Sequence, residues 1–265
     1  MIYQENYFHT KAECDAFEIA AFMTIGDRAE QQDCFGFHLK GTEGLAVLCD
    51  GMGGHAAGAQ ASCYTADHFI KCYRSRCPEE HPITFLNRAI RESDMIVSSM
   101  TDENGMPLNS GATTVSVLID GKDLYWCAAG DSRAYLLRKG EFVQFTYDQN
   151  YGTVLDEKFR AGEISPEVYS AEYEKAASLI SYVGIGGLEL IDYNNEALKL
   201  KADDIIIVMS DGLYKMLSDE ETAALLSNFT NISDALGAIE MKVRYYAQAL
   251  NCERDNMTVM IIKIK

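Results

Sequence analysis

The sequence has few of the residues that divide a chain into parts or carry it into a membrane. Only four of its 265 residues are proline, and no glycine- or serine-rich linker interrupts it. No apolar run approaches the roughly 20 residues of a membrane-spanning helix. Residues 1–15 include acids and no apolar segment typical of a signal peptide. We therefore expect one domain over residues 1–265, monomeric and cytoplasmic, with no membrane segment.

Positive charge is also scarce. Lysine and arginine total 23 against 40 aspartate and glutamate, a formal net charge of -17. A surface of this sign repels a phosphate backbone, which excludes nucleic acid as a partner. An anionic substrate would need a local positive focus, such as bound metal ions and an arginine.

The eight cysteines lack the pairing of a metal or redox motif, because no Cys-x-x-Cys occurs. Cys34, Cys49 and Cys127 fall in strand-like runs, while Cys63 and Cys72 fall in a helical one. We expect buried free thiols. The five histidines are scattered along the chain, so the sequence indicates no structural zinc.

Hydrophobic periodicity predicts an α+β fold. Helical spacing of apolar residues covers 59–73, 83–90 and 236–250, and the strand-like runs are 17–25, 34–39, 45–49, 112–119, 124–129, 133–137, 197–200, 205–209 and 257–264. Short turns between most strands favour antiparallel pairing, and one-faced helices at both ends favour a layered sandwich with helices outside. Residues 149–178 are polar and tyrosine-bearing, which is typical of a flap-like insertion.

Two buried strand-like runs that lie far apart in the chain both lead into Asp-Gly. Residues 45–49 precede Asp50-Gly51, and residues 205–209 precede Ser210-Asp211-Gly212. Asp255 precedes the last strand-like run. If that strand is antiparallel to the others, its start lies beside their ends. The three aspartates would then converge at one edge of the core, where carboxylates suit a hard cation.

Six motifs occur in an order that resembles one known family. They are Arg28-Ala29-Glu30-Gln31-Gln32-Asp33, Asp50-Gly51-Met52-Gly53-Gly54-His55, Ser110-Gly111-Ala112-Thr113-Thr114, Gly130-Asp131-Ser132-Arg133, Ser210-Asp211-Gly212-Leu213 and Arg254-Asp255-Asn256. The set resembles the bacterial branch of the PPM family of metal-dependent serine/threonine protein phosphatases, the phosphatase 2C type. The resemblance implies a four-layer α-β-β-α sandwich with two central, mainly antiparallel sheets.

The resemblance also implies two divalent cations, Mn²⁺ or Mg²⁺, at one end of the sheets. Asp50 would bridge both ions. Asp211 and Asp255 would complete one site, while the Gly51 carbonyl, with Asp33 acting through water, would serve the other. Ligands that are all oxygen favour these ions over zinc.

The implied reaction is hydrolysis of phosphoserine or phosphothreonine by a metal-bridging water. Asp50 and Asp211 would be catalytic through the ions. Arg28 would be catalytic by clamping the phosphate with a bidentate fork. The partners would be phosphoproteins, as substrates of a cognate serine/threonine kinase.

Four positions depart from the usual family pattern. Gln31 stands where an asparagine is common, and Gln32 stands where a glutamate or a glutamine is found. Met52 stands where animal-type members carry a histidine proposed as general acid. Lys215 replaces an aspartate that helps Asp131 hold a third ion, so any third site should be weak or absent.

These departures keep alternatives open. One is a pseudophosphatase that binds a phosphoprotein without hydrolysing it. Another is a regulatory phosphatase dedicated to a single phosphoprotein partner, with the flap choosing the substrate. The three retained aspartates Asp50, Asp211 and Asp255 favour the active enzyme.

Overall fold

The computed structural model describes residues 1–54 and 56–265; His55, the last residue of the second motif, lies outside the described residues. The strands are β1 Ile2–Tyr3, β2 Tyr7–Glu13, β3 Phe17–Thr24, β4 Asp33–Lys40, β5 Glu43–Met52, β6 Gly111–Ala112, β7 Thr114–Asp120, β8 Asp123–Ala129, β9 Arg133–Arg138, β10 Glu141–Gln144, β11 Asp192–Tyr193, β12 Leu198–Lys199, β13 Ile205–Met209 and β14 Met257–Ile264. The helices are α1 Ala56–Arg74, α2 Pro82–Ser98, α3 Tyr151–Arg160, α4 Pro166–Glu172, α5 Asp211–Tyr214, α6 Asp219–Asn228 and α7 Ile232–Leu250, with a 3₁₀ turn at Tyr173–Lys175.

The strands form two sheets. The first has the order β1-β4-β5-β7-β8-β11, with β12 also on β8 and β6 on β5, and the second has the order β10-β9-β13-β14-β3-β2. All the named strand pairs are antiparallel. This agrees with the short turns in the sequence.

Three apolar cores hold the layers together. Side chains such as Phe35 and Leu48 fill the space between the two sheets. Phe69 on α1 and Leu86 on α2 pack on the outer face of the first sheet, and Ile239 on α7 packs on the outer face of the second. The predicted four-layer α-β-β-α sandwich is confirmed.

The pattern of burial along a strand follows its place in the sandwich. β13 and β14 lie inside the second sheet with helices on one face and the first sheet on the other, and their residues are almost all buried. β2 is an edge strand whose residues alternate between exposed and half-buried. The sequence prediction missed β2 because no apolar run marks it.

The segment 149–178 leaves the sandwich and returns to it. Its ends are tied together, since the backbone N–H of Tyr151 donates to the Ser178 carbonyl at 2.8 Å. Only Leu155 of α3 is buried, and α4 buries no residue. Ser165 caps α4 by accepting from the backbone N–H of Val168. The segment therefore packs on the rest of the chain through a small part of its surface.

None of the helices among the described residues is long and apolar enough to cross a lipid bilayer.

Candidate metal centre

Two carboxylates face each other across neighbouring strands of the first sheet. Asp33 begins β4 and pairs directly with Asp50 in β5. Directly opposed residues of an antiparallel pair present their side chains on the same face of the sheet. β5 continues through Asp50 to Met52, so the strand ends three residues beyond the predicted run 45–49 and this aspartate lies inside it. The strand backbone therefore fixes its position.

Two more carboxylates come from the second sheet. Asp211 lies two residues after the end of β13, and Asp255 lies two residues before the start of β14. The two strands are antiparallel, with Met209 opposite Val259, so the end of one lies beside the start of the other. A Cβ atom on Gly212 would collide with the carbonyl oxygen of Asn256, which only glycine avoids. The close approach holds Asp211 next to Asp255.

A serine hydroxyl joins the two pairs. Ser210 Oγ donates to Asp33 Oδ2 at 2.8 Å and accepts the backbone N–H of Thr258 at 2.9 Å. Ser210 and Asp33 are both fully buried. This contact crosses from one sheet to the other, so it sets the spacing between Asp33 and the second pair of carboxylates.

Burial and mutual repulsion change how these acids titrate. Burial, opposed by the Ser210 hydrogen bond and aided by the charges of Asp211 and Asp255, raises the pKa of Asp33 to about 7. Burial also raises the pKa of Asp50 well above its usual range, and the charge of Asp33 is the next largest cause. The other oxygen of Asp33, Oδ1, has no hydrogen-bond partner among the described residues.

These features fit a centre for hard cations. The four carboxylates supply only oxygen ligands, and their repulsion would be relieved by positive charge. Asp33 Oδ1 is a buried acceptor with nothing to accept from, which is the situation a metal-bound water would resolve. A Cβ atom on Gly51 would collide with the carbonyl oxygen of Gly58, so only glycine fits this strand next to α1. The residues present therefore fit the implied ions.

Arg28 reaches this centre from the loop before β4. Its Nη2 donates to Asp255 Oδ2 at 2.7 Å, and 57% of its side chain is exposed. A guanidinium held at the rim of a carboxylate cluster can turn to an incoming phosphate while its stem stays in place. The structure thus places Arg28 beside a predicted metal ligand and within reach of solvent.

A lysine shares the centre. The Lys215 ammonium contacts Asp211 Oδ2, one turn earlier on the same short helix. Burial alone would lower the pKa of Lys215, but the charges of Asp211 and Asp131 outweigh it and raise the pKa. Burial, together with the charges of Asp211 and Asp148, raises the pKa of Asp131. Lys215 therefore partly neutralises the side of the cluster where Asp131 lies.

An open cleft of about 610 Å³ leads to the carboxylates. Asp50, Asp131, Asp211 and Lys215 line one side of it. The other side belongs to the segment 149–178, whose lining residues are Asn150, Gly152, Thr153, Asp156, Tyr173, Ala176, Ala177 and Ser178. A phosphorylated chain bound at the carboxylates would contact this segment.

A family model described as "Protein phosphatase 2C" matches residues 13–169, more than half of the chain. The chain belongs to the protein phosphatase 2C family. The resemblance drawn from the six motifs is thereby confirmed.

Curated relatives of this phosphatase 2C chain are bacterial. "Serine/threonine phosphatase stp" of Listeria welshimeri is 26% identical over 234 residues, covering 86% of this chain and 87% of the relative. "Serine/threonine protein phosphatase PstP" of Mycobacterium tuberculosis is 27% identical over 225 residues, covering 83% of this chain and 40% of the relative. The bacterial branch predicted from the second motif agrees with both.

Solved structures of bacterial phosphatases share the fold of this phosphatase 2C chain. The serine/threonine phosphatase of S. agalactiae superposes with a TM-score of 0.80 at 23% identity, covering 94% of this chain and all of the other. Stp1 of Staphylococcus aureus gives 0.78 at 23% identity, covering 99% and 100%. The PstP catalytic domain in complex with two manganese ions gives 0.72 at 24% identity, covering 96% and 99%.

Three residues that position the centre of this phosphatase 2C chain could not be assigned a role from the sequence: Ser210, Thr113 and Asn256. The Thr113 hydroxyl accepts the backbone N–H of Asp50 at 3.1 Å. Asn256 accepts from the backbone N–H of Gln32 at 2.8 Å and donates to the Ile25 carbonyl at 2.9 Å, which fixes the loop that carries Arg28. All three stand inside the quoted motifs, so motif membership was the only signal.

We expect Asp33→Asn to stabilise the metal-free protein at high pH. A folded pKa of about 7 against a usual 3.8 means that the group's stabilising contribution is complete below about 4 and is lost as pH rises through 7. In EDTA at pH 8 the variant should melt roughly 3–10 °C above wild type, and the gain should disappear towards pH 5. Thermal unfolding followed by circular dichroism measures this.

The control for that experiment is Asp15→Asn, an exposed acid in the turn between β2 and β3. It should leave the melting temperature unchanged at both pH values. A pH-independent loss of stability in Asp33→Asn would show that the carboxylate is not strained in the metal-free fold.

Proposed function

We propose that this chain is a metal-dependent phosphatase for phosphoserine and phosphothreonine in proteins. The observation that carries the proposal is the convergence of Asp33, Asp50, Asp211 and Asp255 from two sheets, with Asp50 and Asp211 lining one open cleft. Family membership and the names of the bacterial relatives support the same activity. Mn²⁺ or Mg²⁺ are the ions that such an oxygen cluster favours.

Each carboxylate then has a place. Asp50, whose charge interacts with those of Asp33, Asp211 and Asp255, would contribute to both sites. Asp211 and Asp255 would complete one site, and the Gly51 carbonyl, with Asp33 through water, would serve the other. Bound ions would supply Lewis acidity and a nucleophilic water near neutral pH.

The protein's own groups orient the substrate. Arg28 exchanges its Asp255 contact for two phosphoryl oxygens, which fixes the phosphorus relative to the carboxylates. Lys215 lines the cleft beside Asp211 and adds positive charge near the phosphate. The segment 149–178 acts as a flap that contacts the residues flanking the phosphorylated one. With Met52 in the cleft wall in place of a histidine, the leaving alkoxide takes its proton from water.

The biological setting is proposed with the activity. The chain acts as one domain, as a monomer in the cytoplasm, on phosphoproteins made by a cognate serine/threonine kinase. The names of the relatives, which call them serine/threonine phosphatases, support the substrate class. The net charge of -17 supports a protein partner over nucleic acid.

We expect wild type to hydrolyse a phosphothreonine peptide and p-nitrophenyl phosphate with Mn²⁺ or Mg²⁺ and to be inactive in EDTA. Asp211→Asn should lower kcat about 100-fold or more, because a ligand to the ions is worth several kcal/mol of transition-state stabilisation. Asp234→Asn, an exposed acid remote in sequence from the cluster, is the matched control and should retain full activity. The measurement is phosphate release at saturating metal.

Two results would support a different function. Folded protein without turnover under any metal would favour the pseudophosphatase, which binds a phosphoprotein without hydrolysis. Turnover confined to one of several unrelated phosphopeptides would favour a phosphatase dedicated to a single partner, with the flap selecting it.

We also propose that Lys215 takes the place of a third ion. Wild type should then bind two Mn²⁺ per chain by equilibrium dialysis, and Lys215→Asp should bind one more, since a cation is exchanged for a ligand beside Asp131. Adding Asp131→Asn to that variant should remove the extra ion, and Lys122→Asp, on an exposed turn, should add none. A third ion in wild type that depends on Asp131 would contradict this.

A further inference from the structure

A second group of metal-ligating side chains lies between α1 and α2, away from the carboxylate centre. His68 and Cys72 are four residues apart on α1, so they lie on the same face of the helix, one turn from each other. Glu92 approaches them from α2. All three side chains are half-buried in the helical layer.

The donor atoms of these residues are close together. His68 Nε2 lies 3.1 Å from Glu92 Oε2 and 3.3 Å from Cys72 Sγ, and the sulfur lies 3.8 Å from the same carboxylate oxygen. A tetrahedral zinc ion with bonds of about 2.0 to 2.3 Å places its ligand atoms roughly 3.3–3.8 Å apart. The two distances to the sulfur match the edges of such a tetrahedron, and the nitrogen–oxygen distance of 3.1 Å is slightly shorter than its edge.

We propose that His68, Cys72 and Glu92 form a site for a zinc-class divalent ion that clamps α1 to α2. Imidazole and thiolate are ligands that zinc accepts readily and that Mg²⁺ does not. The site therefore differs in chemistry from the carboxylate centre, and the two would take different ions from one mixture. A water completes the fourth position.

The charges around the cluster also suit a divalent ion. Arg88 donates to Glu92 Oε2 at 3.2 Å, which would oppose a cation there. Glu80, however, already holds the same guanidinium through two hydrogen bonds of 2.9 Å. Arg88 and Glu80 thus cancel each other. Burial and the charge of Glu92 raise the pKa of the Cys72 thiol, so a bound ion would displace its proton, and the thiolate and the Glu92 carboxylate would then neutralise the two charges of the ion.

The clamp would act on the helix next to the carboxylate centre. α1 begins a few residues after Gly51, and the Ser62 hydroxyl on α1 donates to the Gln32 carbonyl at 2.5 Å. An ion at His68 and Cys72 would hold the middle of this helix against α2. It would stabilise the layer on which the loop before β4 rests.

Co²⁺ is the probe that separates this site from the carboxylate centre. A thiolate bound to Co²⁺ gives a near-ultraviolet sulfur-to-metal charge-transfer band, which a centre made only of oxygen ligands cannot produce. We expect wild type to develop this band with saturation at one Co²⁺ per chain, and we expect Zn²⁺ to abolish it by displacement, because zinc prefers tetrahedral sites with sulfur. No phosphatase assay is involved, so the result is independent of the proposed function.

Variants assign the band to these residues. Cys72→Ser should abolish it. His68→Gln and Glu92→Gln should each weaken Co²⁺ binding more than about tenfold, the lower limit for losing even an outer-shell partner. Cys77→Ser is the matched control and should keep the full band, because Cys77 is an exposed cysteine that also contacts a glutamate, Glu79 at 2.7 Å, but belongs to no His-containing group.

Two outcomes would overturn the proposal. One is no charge-transfer band in folded wild type at saturating Co²⁺, which would leave the three side chains as a hydrogen-bonded group only. The other is a band that survives in Cys72→Ser, or that is unchanged in His68→Gln if the cysteine variant fails to fold.

Discussion

Repulsion among four carboxylates in one corner of the sandwich is the interaction on which the rest of the structure depends. Separate acids would move apart or take up protons. The fold prevents the first response, and the pKa of Asp33 is raised mainly by burial and further by the charges of Asp211 and Asp255. What holds them is backbone: a directly opposed pair in the first sheet and two antiparallel strand ends in the second. Packing in the three apolar cores offsets the unfavourable electrostatic free energy of bringing the four carboxylates together. The carboxylate site is thus an electrostatically unfavourable region at one end of a well-packed fold.

Much of the fold could be predicted from hydrophobic patterning where burial is continuous. The strands at 205–209 and 257–264 were predicted with their observed bounds because both are buried on two faces. The first is an unbroken apolar run, and only Thr258 and Lys263 interrupt the second. β2 and α6 were missed. The first is an edge strand with polar residues facing water, and the second carries three acids in its first turn and buries only Thr222 and Leu226. Their positions are set by tertiary packing, which local sequence does not report.

The residues of the site likewise divide into those that the sequence could predict and those that depend on tertiary packing. Six motifs in order led to Asp50, Asp211 and Asp255, and the structure brings these residues together. Ser210 can bridge the two pairs of carboxylates only because the two sheets approach each other, so its role could not be predicted from the sequence. The histidines look scattered along the chain, yet helix spacing puts His68 beside Cys72 and the pairing of α1 with α2 adds Glu92. Contacts between helices leave no mark in either segment alone.

The pairing register of the hairpin between β4 and β5 restricts which insertions this protein can tolerate. Lys40 pairs with Glu43 across the turn, and the same uninterrupted ladder runs to Asp33 and Asp50 at its far end. Lengthening the exposed turn at Gly41 by one residue would slip the ladder and send one carboxylate to the opposite face. Turns of this kind usually tolerate insertions. We expect selection for catalysis to keep the length of this turn constant, although the turn lies at the opposite end of β4 and β5 from the carboxylates.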